Sequence, residues 1–189
     1  MKLHKSFYLY PAVLSAKSFL GKYLIRSTPF GNLVSIITEV EAYPAFSDEV
    51  SHGNKHTKRT EIMYGEGGFV YVYLIYGIHY LFGAVVNKAG IPDMVLIRAV
   101  KPVEGIDIMK QNFGRPVKND MELTKSPGNL GKSFNINMEL YGADLQGDKI
   151  WLEDRGLVIK PEDIKTGTRI GIDKKLKGSQ DKLRYYINI

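Results

Sequence analysis

Two glutamates, Glu39 and Glu41, stand two positions apart inside the apolar run at residues 33–43. Read as a β-strand, whose side chains alternate between faces, this run places Ile37, Glu39, Glu41 and Tyr43 on one side. Val34, Ile36, Thr38, Val40 and Ala42 take the other side and read as core. Paired carboxylates on so apolar a strand are either solvated or used. In a partly dry pocket, desolvation and a neighbouring carboxylate favour the protonated form of Glu41, and a nearby cation restores the anion. A carboxylate poised in this way is a typical general base for activating water. Spacing alone leaves the solvated face open.

Other motifs point to less. The segment SPGNLGKS at 126–133 contains GKS, but a triphosphate loop needs glycine where Ser126 stands and an apolar strand ahead of it. The residues before it, MELTK, are polar. What the segment still offers is Ser126, Gly128 and Lys132 at a helix start, where backbone N–H groups and a cation suit one phosphate of a polymer. His4, His52, His56 and His79 show no ligand spacing, so neither a metal nor another cofactor is expected. No GxSxG elbow marks a serine nucleophile.

The element best placed to organise such a site is GGFVYVYLIYGIHYLFGAVV at 67–86. Two β-rich runs, 69–75 and 80–86, flank Tyr76-Gly77 and predict a hairpin. Phe69, Tyr71, Tyr73 and Ile75 share one side, and Tyr76 lies at the bend on a different heading. Pro11 opens a helix to about Leu20, ahead of strands at 23–27 and 33–43. A strand at 94–100 is followed by a helix from Pro102, with Val103, Ile106, Met109 and Phe113 on one face. A short turn at 120–123 and a short helix at 129–134 precede strands at 149–153, 156–159, 168–172 and 183–187. Strands do not alternate regularly with helices, which argues against a doubly wound fold. The expected architecture is mixed α/β (α+β): one domain over 1–189, with a curved, largely antiparallel sheet, a protruding hairpin and surrounding helices.

Composition bounds the function classes. With 44% hydrophobic and 24% charged residues, 189 residues suffice for one buried core. The absence of cysteine excludes disulfides and thiolate metal sites and fits a reducing compartment. Lys5 and Lys17 interrupt the N-terminal apolar residues, so no secretory signal is read there. Residues 67–86 alone approach bilayer length, and their four tyrosines and His79 suit a wet pocket better than lipid. A cytoplasmic protein without a membrane partner is expected. Its net charge of +6 favours polyanions.

Taken together, VEAY at 40–43, His52 nine residues on, YVYLIYG at 71–77 and VLIRAVKPVEG at 95–105 resemble the alkyladenine (3-methyladenine) DNA glycosylase family, bacterial type. The similarity continues through SPGNL at 126–130 and TRIGI at 168–172 to LRYYI at 183–187, and so covers nearly the whole chain in order. The resemblance implies hydrolysis of the N-glycosidic bond of alkylated or deaminated purines after base flipping, without lyase activity. It makes Glu41 the general base and Arg98 the arginine that keeps it ionised. Tyr43, His52 and Tyr73 become walls around the extruded base, and Tyr76, with Ile78 beside it, the wedge that enters the duplex. The partner is double-stranded DNA carrying a damaged purine, met by a monomer that associates with the nucleoid through DNA. Gly83 departs from the pattern, because the family commonly has an asparagine there that is thought to crowd the exocyclic amine of guanine. The departure implies a roomier pocket and a blurred preference between damaged adenine and guanine, unless Asn87 or a shifted strand supplies the group. A non-catalytic nucleic-acid-binding module of the formyltransferase C-terminal kind is the alternative, and a small-molecule nucleosidase a third class.

Overall fold

The longest strand is the one that carries the two glutamates. In the computed structural model, which describes residues 1–189, it spans Gly31–Tyr43 (β2). Its first half pairs with β1 (Tyr23–Thr28) and its second half with β8 (Arg184–Tyr186), while β5 (Asp93–Glu104) lines its other edge. Outward from β5 come β4 (His79–Val86) and β3 (Val70–Ile75); β6 (Ile150–Glu153) lies beyond β1, and β7 (Lys165–Gly167) beyond β8. All of these pairings are antiparallel, in one sheet of 8 strands that does not close on itself.

Both faces of this sheet are covered, which is why residues 67–86 read as an almost unbroken apolar run. Val70, Val72, Phe82 and Ala84 face the main core with α1 (Ala12–Phe19), α2 (Ile106–Phe113) and α3 (Pro127–Ser133). Tyr71, Tyr73 and Leu81 face the other way, into a smaller cluster with Tyr43, Met63, Val85, Met94 and Leu96. The candidate site grows out of this second cluster. Helix α3 packs on β4 and starts as its sequence demands, with Pro127 in its first turn and the Ser126 hydroxyl accepting the Asn129 N–H at 3.3 Å.

Four local expectations are corrected. The strict alternation along β2 fails because of a bulge. The β2–β5 register shifts on both sides of Glu39, leaving Thr38 unpaired on β2 and Arg98 unpaired on β5. Leu33 and Ile37 therefore face the main core before the bulge, and Val40 and Ala42 face it after. Ile37 does not share the side of Glu39 and Glu41. Helix α2 begins at Ile106 rather than at Pro102, which stays in β5 opposite Ser35 at a second register shift. A proline, lacking its N–H, is tolerated where the ladder is irregular. Gly105, left-handed at φ 74°, turns the chain into the helix, and Val103 is exposed. Residues 156–159 form no strand; Gly156 turns at φ 82° and gives its N–H to the Asp154 carboxylate at 2.9 Å. Residues 168–172 are not a strand either, because their polar groups are committed to the site described next.

Candidate active site

A cavity of about 420 Å³ opens where β2, the β3–β4 hairpin, β5, the start of α3 and the 170–172 segment converge. Glu41 stands at its base with no solvent exposure. Its Oε2 accepts the Tyr43 hydroxyl at 2.8 Å, its Oε1 accepts the Ile170 N–H at 2.8 Å, and Arg98 Nη1 stands 3.2 Å from Oε1. Burial pushes the Glu41 carboxyl above the ordinary glutamate range; Arg98, Ile170 N–H, Tyr43 and Arg169 pull it back only in part. Such a group binds a proton more readily than a surface glutamate, which is the direction that suits a base for water.

The paired bulges set up this contact. The register slip that leaves Arg98 unpaired turns its guanidinium toward the glutamate side of β2, where Nε donates to Glu39 Oε1 at 3.1 Å. Arg184 Nη1 on β8 meets the same Glu39 oxygen at 3.1 Å. Charges therefore alternate from Arg184 through Glu39 and Arg98 to Glu41. Glu39 is no free solubilising charge; it holds Arg98.

Aromatic rings form the walls. His52 lies edge-on to Tyr73 at 4.9 Å between centroids, and its Nδ1 is 3.2 Å from the Tyr71 hydroxyl. Burial, then Arg59, lowers the His52 pKa, so its imidazole is neutral at physiological pH. Burial holds the Tyr43 and Tyr73 hydroxyls well above their ordinary range, with the Glu41 charge adding to it, and pushes Tyr71 to about 12. All three therefore stay protonated as donors. At the rim, Tyr76 and Gly77 turn the hairpin with left-handed backbones, φ 53° and 71°. The tip presents Tyr76 and Ile78 at 79% and 71% exposure.

Glu41, Arg98, Tyr43, His52, Tyr73, Tyr76, Ser126 and Gly128 thus all border one cavity. Three other residues singled out from sequence do not. Ile78 and Lys132 border an adjoining groove, where the Lys132 ammonium lies 5.3 Å from the Phe113 ring centre. Gly83 is buried beneath the Met94 side chain, and it is Met94 that borders the cavity. Asn87 is no substitute at the site, because its amide donates to Asp93 at 3.0 Å. Sequence reasoning missed Arg169 and Asp48, a fully buried ion pair joining residues 121 apart. Arg169 also donates to Ala42 O at 3.1 Å and Gly178 O at 3.0 Å, and its guanidinium lies 4.7 Å from the Tyr43 ring centre. It thereby locks the 168–172 segment in place so that the next N–H, Ile170, reaches Glu41. A lone arginine among apolar neighbours in TRIGI was the only signal.

A neutral aromatic slot ending in a buried carboxylate, with an apolar tip at its mouth, can hold a flat ring and deliver a base to a water beside it. Comparisons with known proteins identify the family. The family model for methylpurine-DNA glycosylase (MPG) matches residues 6–189. A protein of Oceanobacillus iheyensis is 39% identical over 188 residues, covering 98% of this chain and 92% of that one. One from Natranaerobius thermophilus is 38% identical over 189 residues, covering 99% and 96%. Both are provisionally named 3-methyladenine DNA glycosylases.

Proposed function

The chain belongs to the methylpurine-DNA glycosylase family, a DNA glycosylase of the kind that acts on alkylated bases, and from that premise we propose that it flips damaged purines out of duplex DNA and hydrolyses their N-glycosidic bond as a monofunctional enzyme. Its substrates are 3-methyladenine, 7-methylguanine, hypoxanthine and ethenoadenine. The observation that carries this is Glu41, a solvent-free carboxylate at the base of an aromatic cavity, with its Oε1 engaged and its Oε2 holding only Tyr43. A carboxylate oxygen has two lone pairs, so Oε2 keeps one to accept a proton.

Water hydrogen-bonded at that lone pair gives its proton to Glu41 while its oxygen attacks the sugar C1′. The C1′–N bond breaks and its electrons leave with the purine. An alkylated, cationic purine departs as a neutral base; an uncharged one such as hypoxanthine or ethenoadenine departs as its anion and takes up a proton from solvent water. Tyr43, His52 and Tyr73 suit an electron-poor ring through their faces and edges. Tyr76 and Ile78 at the exposed tip fill the space the base vacates, offsetting part of the unstacking cost of a few kcal/mol. No lysine borders the cavity to form a Schiff base, which supports release of the base without strand cleavage. One copy supplies every group of the cavity, consistent with a monomer on DNA, and no helix is long and apolar enough to cross a membrane.

The test is base release from duplexes carrying hypoxanthine or ethenoadenine, read as alkali-dependent strand cleavage, with wild type against Glu41→Gln. Release by wild type, and loss of it by at least a hundredfold in a variant that still binds the duplex, is the expected result. Binding without release in both proteins supports a binding module instead.

A further inference from the structure

Gly83 leaves a gap in the row of side chains facing the site. It pairs with Tyr71 on β3 and with Leu96 on β5, so its missing side chain would stand between those two in the wall behind the cavity. Met94 is the diagonal neighbour across β4–β5, a separation that long side chains span. Its thioether lies across the gap: a Cβ built at position 83 would overlap the Met94 sulfur and sit 3.0 Å from its Cγ. The Gly83 backbone φ is not left-handed, so space rather than strain keeps the position empty. Met94 is itself buried and borders the cavity beside Leu81, Leu96 and Tyr73.

We propose that Met94, seated over Gly83, is the specificity-determining residue that sets the depth of this pocket. The inference rests on the glycosylase reading above. A thioether has three rotatable bonds beyond its backbone, is polarisable, and adapts its shape to what it touches. It offers neither a strong donor nor a strong acceptor, so this wall sorts purines by size and not by whether they carry an exocyclic amine or oxygen. An apolar wall of this kind discriminates by steric fit, with modest factors for each carbon added or removed. Gly83 and Met94 act as one unit, because whatever occupies position 83 decides where the sulfur goes.

That coupling supplies the test. Single-turnover excision of ethenoadenine and of the smaller hypoxanthine is measured in one duplex context, for wild type, Met94→Ala, Gly83→Ala and the double variant. Met94→Ala deepens the pocket and raises the ethenoadenine-to-hypoxanthine rate ratio on the order of tenfold. Gly83→Ala pushes the sulfur toward the cavity and lowers the ratio. In the double variant no thioether remains for the added methyl group to displace, so the ratio stays near that of Met94→Ala instead of falling to the sum of the two effects. A merely structural role slows both lesions alike and leaves the ratio within twofold in both single variants; that result overturns the proposal. Absence of release from either lesion by wild type overturns the glycosylase reading instead.

Discussion

The charge state of Glu41 is governed by groups from three parts of the chain: Tyr43 on its own strand, Arg98 on β5, and Ile170 and Arg169 from the 168–172 segment. Burial is the largest influence and raises its pKa above 4.5, so the anion that the proposed mechanism requires is lost as pH falls through that raised value. The acid limb of kcat/KM is therefore expected above pH 4.5, with activity falling tenfold per unit below it. Arg98 is the strongest of the influences pulling the value down. Arg98→Gln removes that pull, so the limb moves to higher pH, and a pH–rate profile of single-turnover release reads the shift. An unmoved limb with a lowered plateau would mean that Arg98 serves only to position the carboxylate.

At the scale of elements, the β3–β4 hairpin carries strain at the tip proposed to enter the duplex. A tyrosine at φ 53° costs roughly 1 kcal/mol relative to a residue that prefers this conformation, and nothing buries its ring in return. Tyr76→Gly is expected to raise folding stability by about 0.5 kcal/mol, once the entropy of the unfolded glycine is counted. The same change should slow excision from duplex DNA at least tenfold while sparing a lesion in single-stranded DNA. Thermal unfolding and paired duplex and single-strand assays check the two halves. Equal slowing on both substrates would rule out a wedge. The bulge pair in β2 and β5 is the complementary device: it breaks the ladder to bring Arg98 and Glu41 together, as bulges beside active sites do.

Across the whole molecule, the net charge of +6 is unevenly spread around the cavity mouth. Lys55, Lys58 and Arg59 follow His52, and Lys174, Lys175, Lys177 and Lys182 follow Ile172; all are exposed, and none is in an ion pair. Both segments leave the rim of the site, His52 and Ile172 being among its walls. Replacing Lys174, Lys175 and Lys177 with glutamine should weaken duplex binding alike for damaged and undamaged DNA. For each phosphate no longer neutralised, the slope of log K against log salt becomes shallower by about 0.9, and the single-turnover rate at saturation is unchanged. Fluorescence anisotropy across a salt series measures it; an unchanged slope would show that this loop does not meet the backbone.

Residue types, their order and the local periods were enough to place β1 to β4, the turn at Tyr76, a short helix within two residues of the start of α3, and Glu41 with Tyr43 on one side of β2. These follow from interactions within a few residues, where alternation, proline and glycine act directly. The resemblance placed Arg98 near Glu41, but not how it gets there. That is set by the bulges at Thr38 and Arg98, which depend on how two strands far apart in the chain slide into register. The same holds for the Arg169–Asp48 lock, for the loss of strand at 168–172 to side-chain partners, and for Met94 lying over Gly83. Each is a solution to burying charge or filling space between distant segments, and only the assembled packing decides it.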